Sequence, residues 1–124
     1  MTVYVDDARI PARVGRQETR WSHLFADTHQ ELHSFAAQLG LRRSWFQDPT
    51  VTGKPLPARP GSRAAENWHY DVTEAKRRQA LALGAQPVST RQAVELLSAR
   101  YAARCEQAAL SAANNGKNIK DCGG

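Results

Sequence analysis

The chain has 124 residues and carries 17 lysines and arginines against 12 acidic residues, a formal net charge of +5. This length is typical of a single domain that buries one hydrophobic core without help from a metal ion or a disulfide. No stretch approaches the roughly 20 apolar residues that cross a bilayer, which excludes a membrane-spanning helix. Asp6, Asp7 and Arg9 interrupt the first apolar run, so no signal peptide is expected and the predicted location is cytoplasmic.

Arginine supplies 13 of the 17 positive charges. Its planar guanidinium group binds phosphate oxygens in pairs, which lysine cannot do. This bias predicts an anionic partner such as a phosphorylated small molecule, a nucleotide or a nucleic acid. The same bias also occurs on basic surfaces that are only solvated, and composition does not separate these two interpretations.

The N-terminal half is predicted to contain two strands and a helix. Residues 2–5 are rich in β-branched and aromatic side chains and indicate a buried strand, and residues 21–26 indicate a second one. Residues 8–20, between them, are predicted to form a loop. A capping box at Thr28 opens a helix whose apolar residues recur at intervals of three and four, and Gly40 ends it.

The middle of the chain is less regular. Residues 41–47 are compatible with either a short strand or an extended turn. Residues 48–66 contain four prolines and two glycines and are predicted to form a long loop. Long loops in small domains are commonly functional or mobile.

The C-terminal half is predicted to contain two helices with a strand between them. Asp71 opens a predicted capping box for a helix that runs to Leu83, and capping alone would explain this carboxylate. Residues 85–88 indicate a short strand. A last helix is predicted over residues 90–113, with an alanine-rich seam that would allow a dimer, and residues 114–124 are predicted to be a disordered tail.

Together these elements predict a single α/β domain over residues 1–113. Its sheet would contain about three to four strands, and three helices would pack on that sheet. Ligands of such sheets bind near the carboxyl ends of the strands. That rule directs attention to Asp6 and Asp7 after the first strand and to Asp27 after the second. The segment 68–71 is a third candidate, because it precedes a predicted helix N-terminus, where anions bind.

His23 and His69 are the strongest candidates for acid–base catalysis. Each lies beside or near a tryptophan and near carboxylates, and an imidazole beside a carboxylate can act as a general base. The alternative is a histidine held by hydrogen bonds for structural reasons alone. Asp6 and Asp7 complete the candidate catalytic set. Adjacent carboxylates repel each other, so a positive partner is expected, either Arg9 or a metal ion.

His29 and His33 lie one helical turn apart and resemble a zinc protease motif only superficially. That motif needs a glutamate next to the first histidine, whereas Glu31 lies about 200° around the helix from each of the two. A divalent metal with His33 and Asp6 as candidate ligands remains one interpretation. The favoured interpretation is that both are ordinary surface histidines.

A further set of cationic and aromatic residues is predicted to bind the ligand, by pairing with phosphate or by stacking on a base. The set consists of Arg16, Arg20, Trp21, Trp68, Tyr70, Lys76 and Arg77. For each tryptophan the alternative is packing in the hydrophobic core.

Several segments, in order, resemble one bacterial and phage family, the domain-of-unknown-function family number four thousand and thirty-one. They are Val3-Tyr4-Val5-Asp6-Asp7-Ala8, Trp21-Ser22-His23-Leu24 with Ala26-Asp27, Glu31-Leu32-His33 with Phe35-Ala36, Leu39-Gly40-Leu41, Trp45-Phe46-Gln47, and His69-Tyr70-Asp71 with Lys76-Arg77. The resemblance covers about residues 2–90 and implies no activity and no fold. It implies that its polar members, Asp6, His23, His33, His69 and Asp71, form one site.

Three functions are therefore predicted in order of preference. The first is binding of a phosphorylated small molecule or nucleotide at a His/Asp/Arg site, with hydrolysis as an extension in which His23 and His69 act as acid and base. The second is nucleic-acid binding without chemistry. The third is a protein-interaction module, for example a phage-type inhibitor. Enzymatic activity is left open.

Overall fold

The computed structural model describes the backbone of residues 2–115 and the side chains of residues 2–110. Residues 116–124, which make up most of the predicted disordered tail, lie outside the described residues. Residues 114 and 115 belong to the last helix, so the predicted start of the tail is wrong by at least two residues.

The α/β class is confirmed, but the described residues contain more elements than predicted. The strands are β1 (Val3–Val5), β2 (Ile10–Val14), β3 (Gln17–Ala26), β4 (Phe46–Gln47), β5 (His69–Val72) and β6 (Gln86–Pro87). The α-helices are α1 (His29–Gln38), α2 (Pro49–Thr52), α3 (Glu74–Ala82) and α4 (Thr90–Asn115), and short 3₁₀ turns span Arg43–Trp45 and Ala64–Glu66. Within residues 2–115 the sheet therefore has six strands instead of three or four, with four helices instead of three.

The sheet is mixed and is centred on the long strand β3. Its order is β4-β5-β3-β1-β6, and β2 pairs with the N-terminal half of β3. Among the strands that the structure describes, β1 and β6 are the only parallel pair, and the other pairs are antiparallel. The C-terminal half of β3 thus lies between β1 and β5, with Leu24 opposite Val5 on one side and Tyr70 on the other.

The predicted loop over residues 8–20 is wrong, because this segment forms β2, a tight turn and the start of β3. The turn is two residues long and contains Gly15, whose φ of 62° is readily adopted by glycine. Pro11 is tolerated because β2 is an edge strand. Every residue of β2 is exposed, so the alternation that identifies a half-buried strand is missing.

The helix predicted from Thr28 is confirmed. The Thr28 hydroxyl accepts a hydrogen bond from the N–H of Glu31 at 3.2 Å, and Gly40 follows the helix with a φ of 78°. The predicted cap of α3 is wrong. Asp71 belongs to strand β5, and Thr73 caps the helix by accepting from the N–H of Lys76 at 3.2 Å.

Ser89 and Gln92 exchange hydrogen bonds at the start of α4, as a capping box does. This observation supports the predicted beginning of the last helix. The predicted loop over residues 48–66 is wrong in part, because Asp48 caps the four-residue helix α2 and a 3₁₀ turn precedes β5.

The residues group into two compact units. One consists of Met1–Gln47 with Trp68–Ala93 and contains the whole sheet together with α1 and α3. The other consists of Asp48–Asn67 with Val94–Gly124. Within its described part, Arg104 pairs with the buried carboxylate of Glu66 at 2.9 Å, and Arg63 donates to Ser98. The predicted extent of one domain over residues 1–113 stays a prediction.

The core of the first unit lies between one face of the sheet and the helices α1 and α3. Its members alternate along each strand and follow one side of each helix. They include Val5, Leu24, Ala26, Tyr70 and Val72 from the sheet, Leu32, Ala36 and Leu39 from or next to α1, and Ala80 from α3, and the connecting segments add Leu41, Trp68 and Ala85. We call this side of the sheet the helix face. The other side, which carries His23, His69 and Asp71, is called the histidine face. No helix within residues 2–115 is long and apolar enough to cross a membrane.

Replacement of Leu32 by alanine tests this core. Leu32 is fully buried on α1, so L32A is expected to lower the free energy of unfolding by about 2 to 5 kcal/mol. Leu110 on α4 is 62% exposed, and L110A should change it by less than about 0.5 kcal/mol. Chemical denaturation monitored by circular dichroism measures both values. Equal losses in the two variants would contradict the described packing.

Candidate functional site

The candidate site begins where β1 ends. Asp6 extends the pairing of β1 with β3, because its N–H donates to the carbonyl oxygen of His23 at 3.0 Å. On the other side of β3, His23 lies directly opposite Asp71 of β5. Asp6, His23 and Asp71 therefore form a row across three neighbouring strands.

The carboxylate of Asp6 is buried and has three hydrogen-bond partners. Its Oδ1 accepts from the backbone N–H groups of His23 at 2.9 Å and Ala8 at 3.2 Å. Its Oδ2 lies 2.7 Å from Nδ1 of His23. An ionised carboxylate can only accept, so Nδ1 of His23 must donate the hydrogen in this pair. When His23 is neutral, its Nε2 then carries a free lone pair.

Electrostatics reinforce this pairing. The hydrogen bond to Asp6 raises the pKa of His23 above 6.5; burial opposes the rise, and the negative charges of Asp6 and Asp71 add to it. Burial by itself would raise the pKa of Asp6, but the hydrogen bonds from His23 and Ala8 outweigh burial and hold this pKa below 3.8. Between these two pKa values the pair is charged on both sides.

His69 and Asp71 lie near Nε2 of His23 on the histidine face. Nε2 of His69 lies 3.2 Å from Oδ1 of Asp71, and Nε2 of His23 lies 3.9 Å from the same oxygen. The two imidazole rings approach edge to face with 4.8 Å between their centroids. The side chains of His23, His69 and Asp71 are 35%, 15% and 42% exposed. Burial raises the pKa of Asp71, but His69 and His23 outweigh it and lower this pKa overall.

The two adjacent aspartates have different roles. Asp7 turns away from its neighbour, and its Oδ1 accepts from the N–H of Thr90 at 2.9 Å, at the first residue of α4. The repulsion expected between neighbouring carboxylates is thus relieved without the predicted contact to Arg9. Arg9 instead pairs with Glu74 at 2.7 Å. The structure places Asp6, and not Asp7, with the candidate catalytic histidines.

His33 lies on the helix face and does not join the cluster. Its Nδ1 is 2.8 Å from the hydroxyl of Tyr70, and its ring lies against Phe46 at 4.6 Å between centroids. Burial lowers the pKa of His33, and the charges of Arg43 and His29 lower it further. Of the five residues that the family resemblance groups together, the structure therefore gathers four.

The predicted ligand-binding aromatics are mostly structural in this geometry. Trp68 and Tyr70 are only 6% and 1% exposed and belong to the core cluster. Trp21 is partly exposed, and its Nε1 donates to the carbonyl oxygen of Ala12 at 3.0 Å, across the β2–β3 hairpin.

The predicted phosphate-binding cations do not surround the histidine cluster either. Lys76 donates from Nζ to the carbonyl oxygen of Leu39 at 2.5 Å, and Nε of Arg77 donates to that of Asp6 at 3.0 Å. Arg16 is exposed in the hairpin turn. Arg20 lines a separate cavity of about 500 Å³ together with Arg13 and Glu74, among others.

Asp71 is the site residue that sequence reasoning interpreted as a helix cap. The signal that identifies its role is the triplet His69-Tyr70-Asp71. In a strand the first and third residues share a face, so a buried tyrosine between them turns both polar side chains to the opposite side. Only the strand pairing brings this triplet opposite His23.

The sequence matches the model of one protein family, described as a protein of unknown function (DUF4031), over residues 3–100. The chain belongs to the DUF4031 family. The match confirms the resemblance and extends ten residues beyond its expected end, into α4. It includes Asp6, His23, His69 and Asp71. No curated protein and no solved structure matches the chain.

The Asp6–His23 pair makes a prediction about titration. In D6N the imidazolium of His23 loses its negative partner, so the pKa of His23 should fall relative to the native chain. NMR titration of the His23 Hε1 resonance in metal-free protein measures this change. D7N serves as the control, because Asp7 contacts Thr90 instead, and should leave the pKa of His23 unchanged.

The same pair predicts how stability depends on pH. A raised pKa of His23 stabilises the fold fully below its unfolded value of about 6.5, and this contribution is lost as the pH rises through the folded value. The destabilisation of D6N should therefore be larger at pH 6 than at pH 9. Equal destabilisation at both values, or unaltered titration of His23 in D6N, would contradict the pairing.

Proposed function

We propose that this DUF4031 protein binds a phosphorylated small molecule or nucleotide on the histidine face and hydrolyses it there. The catalytic group consists of Asp6, His23, His69 and Asp71. The single observation that carries this proposal is the orientation of His23, whose Nδ1 is held by a buried carboxylate while its Nε2 faces His69 and Asp71.

A histidine that only packs in the core needs no buried carboxylate on one ring nitrogen and no second carboxylate near the other. A buried carboxylate behind an imidazole fixes the ring and strengthens the basicity of its far nitrogen. Asp71, the most exposed member of the cluster, connects the two histidines to solvent. The three atoms that converge there are suited to activating a water molecule for attack on an ester or anhydride bond.

The phosphorylated character of the substrate is supported by charge. The net charge of the chain is +5, and a positive field raises the local concentration of anionic ligands. Arg16 and Arg20 are exposed in and beside the turn of the β2–β3 hairpin and contribute to this field, while Arg20 lies on the side of β3 opposite to His23.

The test is a panel of nucleoside phosphates, sugar phosphates and p-nitrophenyl phosphate, assayed for thermal stabilisation and for release of inorganic phosphate with and without divalent metal ions. At least one compound should be hydrolysed by the native chain. D71N should lower the rate by roughly 100-fold or more, because it removes a catalytic group. D27N is the matched control and should retain activity, since the carboxylate of the exposed Asp27 accepts only from Tyr4 among the described hydrogen bonds.

Two results would contradict this function. One is that no phosphorylated compound stabilises the protein or is hydrolysed. The other is that D71N hydrolyses the substrate as fast as D27N does.

A second candidate function is binding of a nucleic-acid backbone by the β2–β3 hairpin. The observation that favours it is the exposure of Arg13, Arg16 and Arg20 on a two-stranded ribbon with no buried residue in β2. Such a ribbon can lie along phosphates without any contribution from the histidine face.

If the hairpin binds nucleic acid, affinity for oligonucleotides should fall steeply with salt concentration. The double variant R16A/R20A should reduce the slope of log K against log salt by about 1 for each phosphate that is no longer neutralised. R78A removes an exposed arginine from α3 and is the matched control. Fluorescence anisotropy over a salt series measures these slopes, and binding that is absent or equal in both variants would contradict this function.

A further inference from the structure

We propose that Nε2 of His23, Nε2 of His69 and Oδ1 of Asp71 coordinate one divalent transition-metal ion, with Zn²⁺ as the reference case. These three residues each offer one ligand atom, and the atoms all lie within 4.8 Å of one another. The ligand set differs from the one suggested by sequence, because His33 lies on the other face and Asp6 is engaged by His23.

The distances fit a tetrahedral site after small side-chain movements. With metal–ligand bonds of about 2.0 to 2.1 Å, neighbouring ligand atoms of a tetrahedral zinc ion are about 3.3 Å apart. Asp71 Oδ1 lies 3.2 Å from Nε2 of His69 and 3.9 Å from Nε2 of His23. All three ligand atoms lie within 4.8 Å of one another, so the site closes by bringing the two imidazoles together. The paired strands that carry both histidines and Asp71 hold their backbones in register across the site.

The chemistry of the ligands indicates the class of metal. Two imidazoles and one carboxylate favour Zn²⁺ or another first-row transition metal over Mg²⁺ and Ca²⁺, which prefer oxygen ligands. Three protein ligands leave a fourth position for water, which is the arrangement of catalytic rather than structural zinc sites. The exposure of Asp71 gives an ion and its water a route to this position.

Asp6 supplies the second observation, independent of the three ligand atoms. Metal-binding histidines commonly donate their other ring nitrogen to a carboxylate, which fixes the ring and directs the free nitrogen at the metal. Asp6 makes this contact with Nδ1 of His23 at 2.7 Å, and its own orientation is fixed by two backbone N–H groups. Ion pairs of His23 and His69 with Asp71 alone would not require the buried Asp6 carboxylate on the other side of the His23 ring.

The metal site goes beyond the proposed hydrolysis and is measurable without a substrate. If the metal site and the hydrolysis both exist, the ion would act as the Lewis acid that lowers the pKa of the attacking water, and His23 and His69 would be its ligands. The two claims fail separately. Metal binding without any hydrolysis contradicts the proposed function alone, and hydrolysis by a chain that binds neither Zn²⁺ nor Co²⁺ overturns the metal site alone.

The experiment is a titration of the metal-free, full-length chain with Zn²⁺ by calorimetry and with Co²⁺ by absorption spectroscopy. We expect one ion per chain and a Co²⁺ spectrum typical of nitrogen and oxygen ligands, without thiolate charge-transfer bands. H69A and D71N should weaken binding by more than 100-fold. D6N, which leaves all three ligand atoms in place, should weaken binding by about 10- to 100-fold.

H33Q is the matched control, because His33 belongs to the same unit but contacts Tyr70 on the helix face. It should bind the ion as the native chain does, and circular dichroism checks that every variant remains folded. D71N changes an exposed side chain, so this variant keeps the test decisive if a more buried replacement unfolds. Absence of one-to-one binding, or binding by D71N equal to that of H33Q, would overturn the proposal.

Discussion

The contact between Asp6 and His23 is the interaction on which the candidate site depends. It joins β1 to β3 through both backbone and side chain, because Asp6 donates to the carbonyl oxygen of His23 and accepts from its N–H and its ring. A buried carboxylate is costly without such partners. Here those partners also determine which nitrogen of His23 faces His69 and Asp71. One residue therefore stabilises the strand pairing and orients the imidazole.

Because side chains alternate along each strand, the hydrophobic core lies on one face of the sheet and the candidate site on the other. Val5, Leu24 and Tyr70 lie in one row on the helix face, and the neighbouring row of Asp6, His23 and Asp71 lies on the histidine face. A shift of one residue in the pairing of β3 would turn His23 toward α1 and α3 and expose Leu24 on the histidine face. The hydrophobic core thus fixes the register that assembles the site. Stability and function are linked through this register.

Sequence reasoning predicted the α/β class, the helix from Thr28 and the roles of Asp6, His23 and His69 as polar candidates. Local signals are strong there, because caps and apolar spacing depend on neighbours in the chain. The hairpin of β2 was missed because an exposed strand has no alternation. The sequence explains Asp71 as a cap and leaves His33 as a metal-ligand candidate beside the favoured surface role, because strand pairing is a long-range property that local patterns do not reveal. His23 and Asp71 are 48 residues apart in the chain and become neighbours only when β5 pairs with β3.

The proposed site would hold one metal ion with three side chains from two paired strands, in front of the imidazole that Asp6 supports. Anomalous diffraction from crystals of the full chain grown with Zn²⁺, recorded across the zinc edge, would locate such an ion. We expect one strong peak at about 2.0 to 2.2 Å from Nε2 of His23, Nε2 of His69 and a carboxylate oxygen of Asp71. A peak at His33 or on other surface residues instead, or a zinc-free cluster in those crystals, would contradict it.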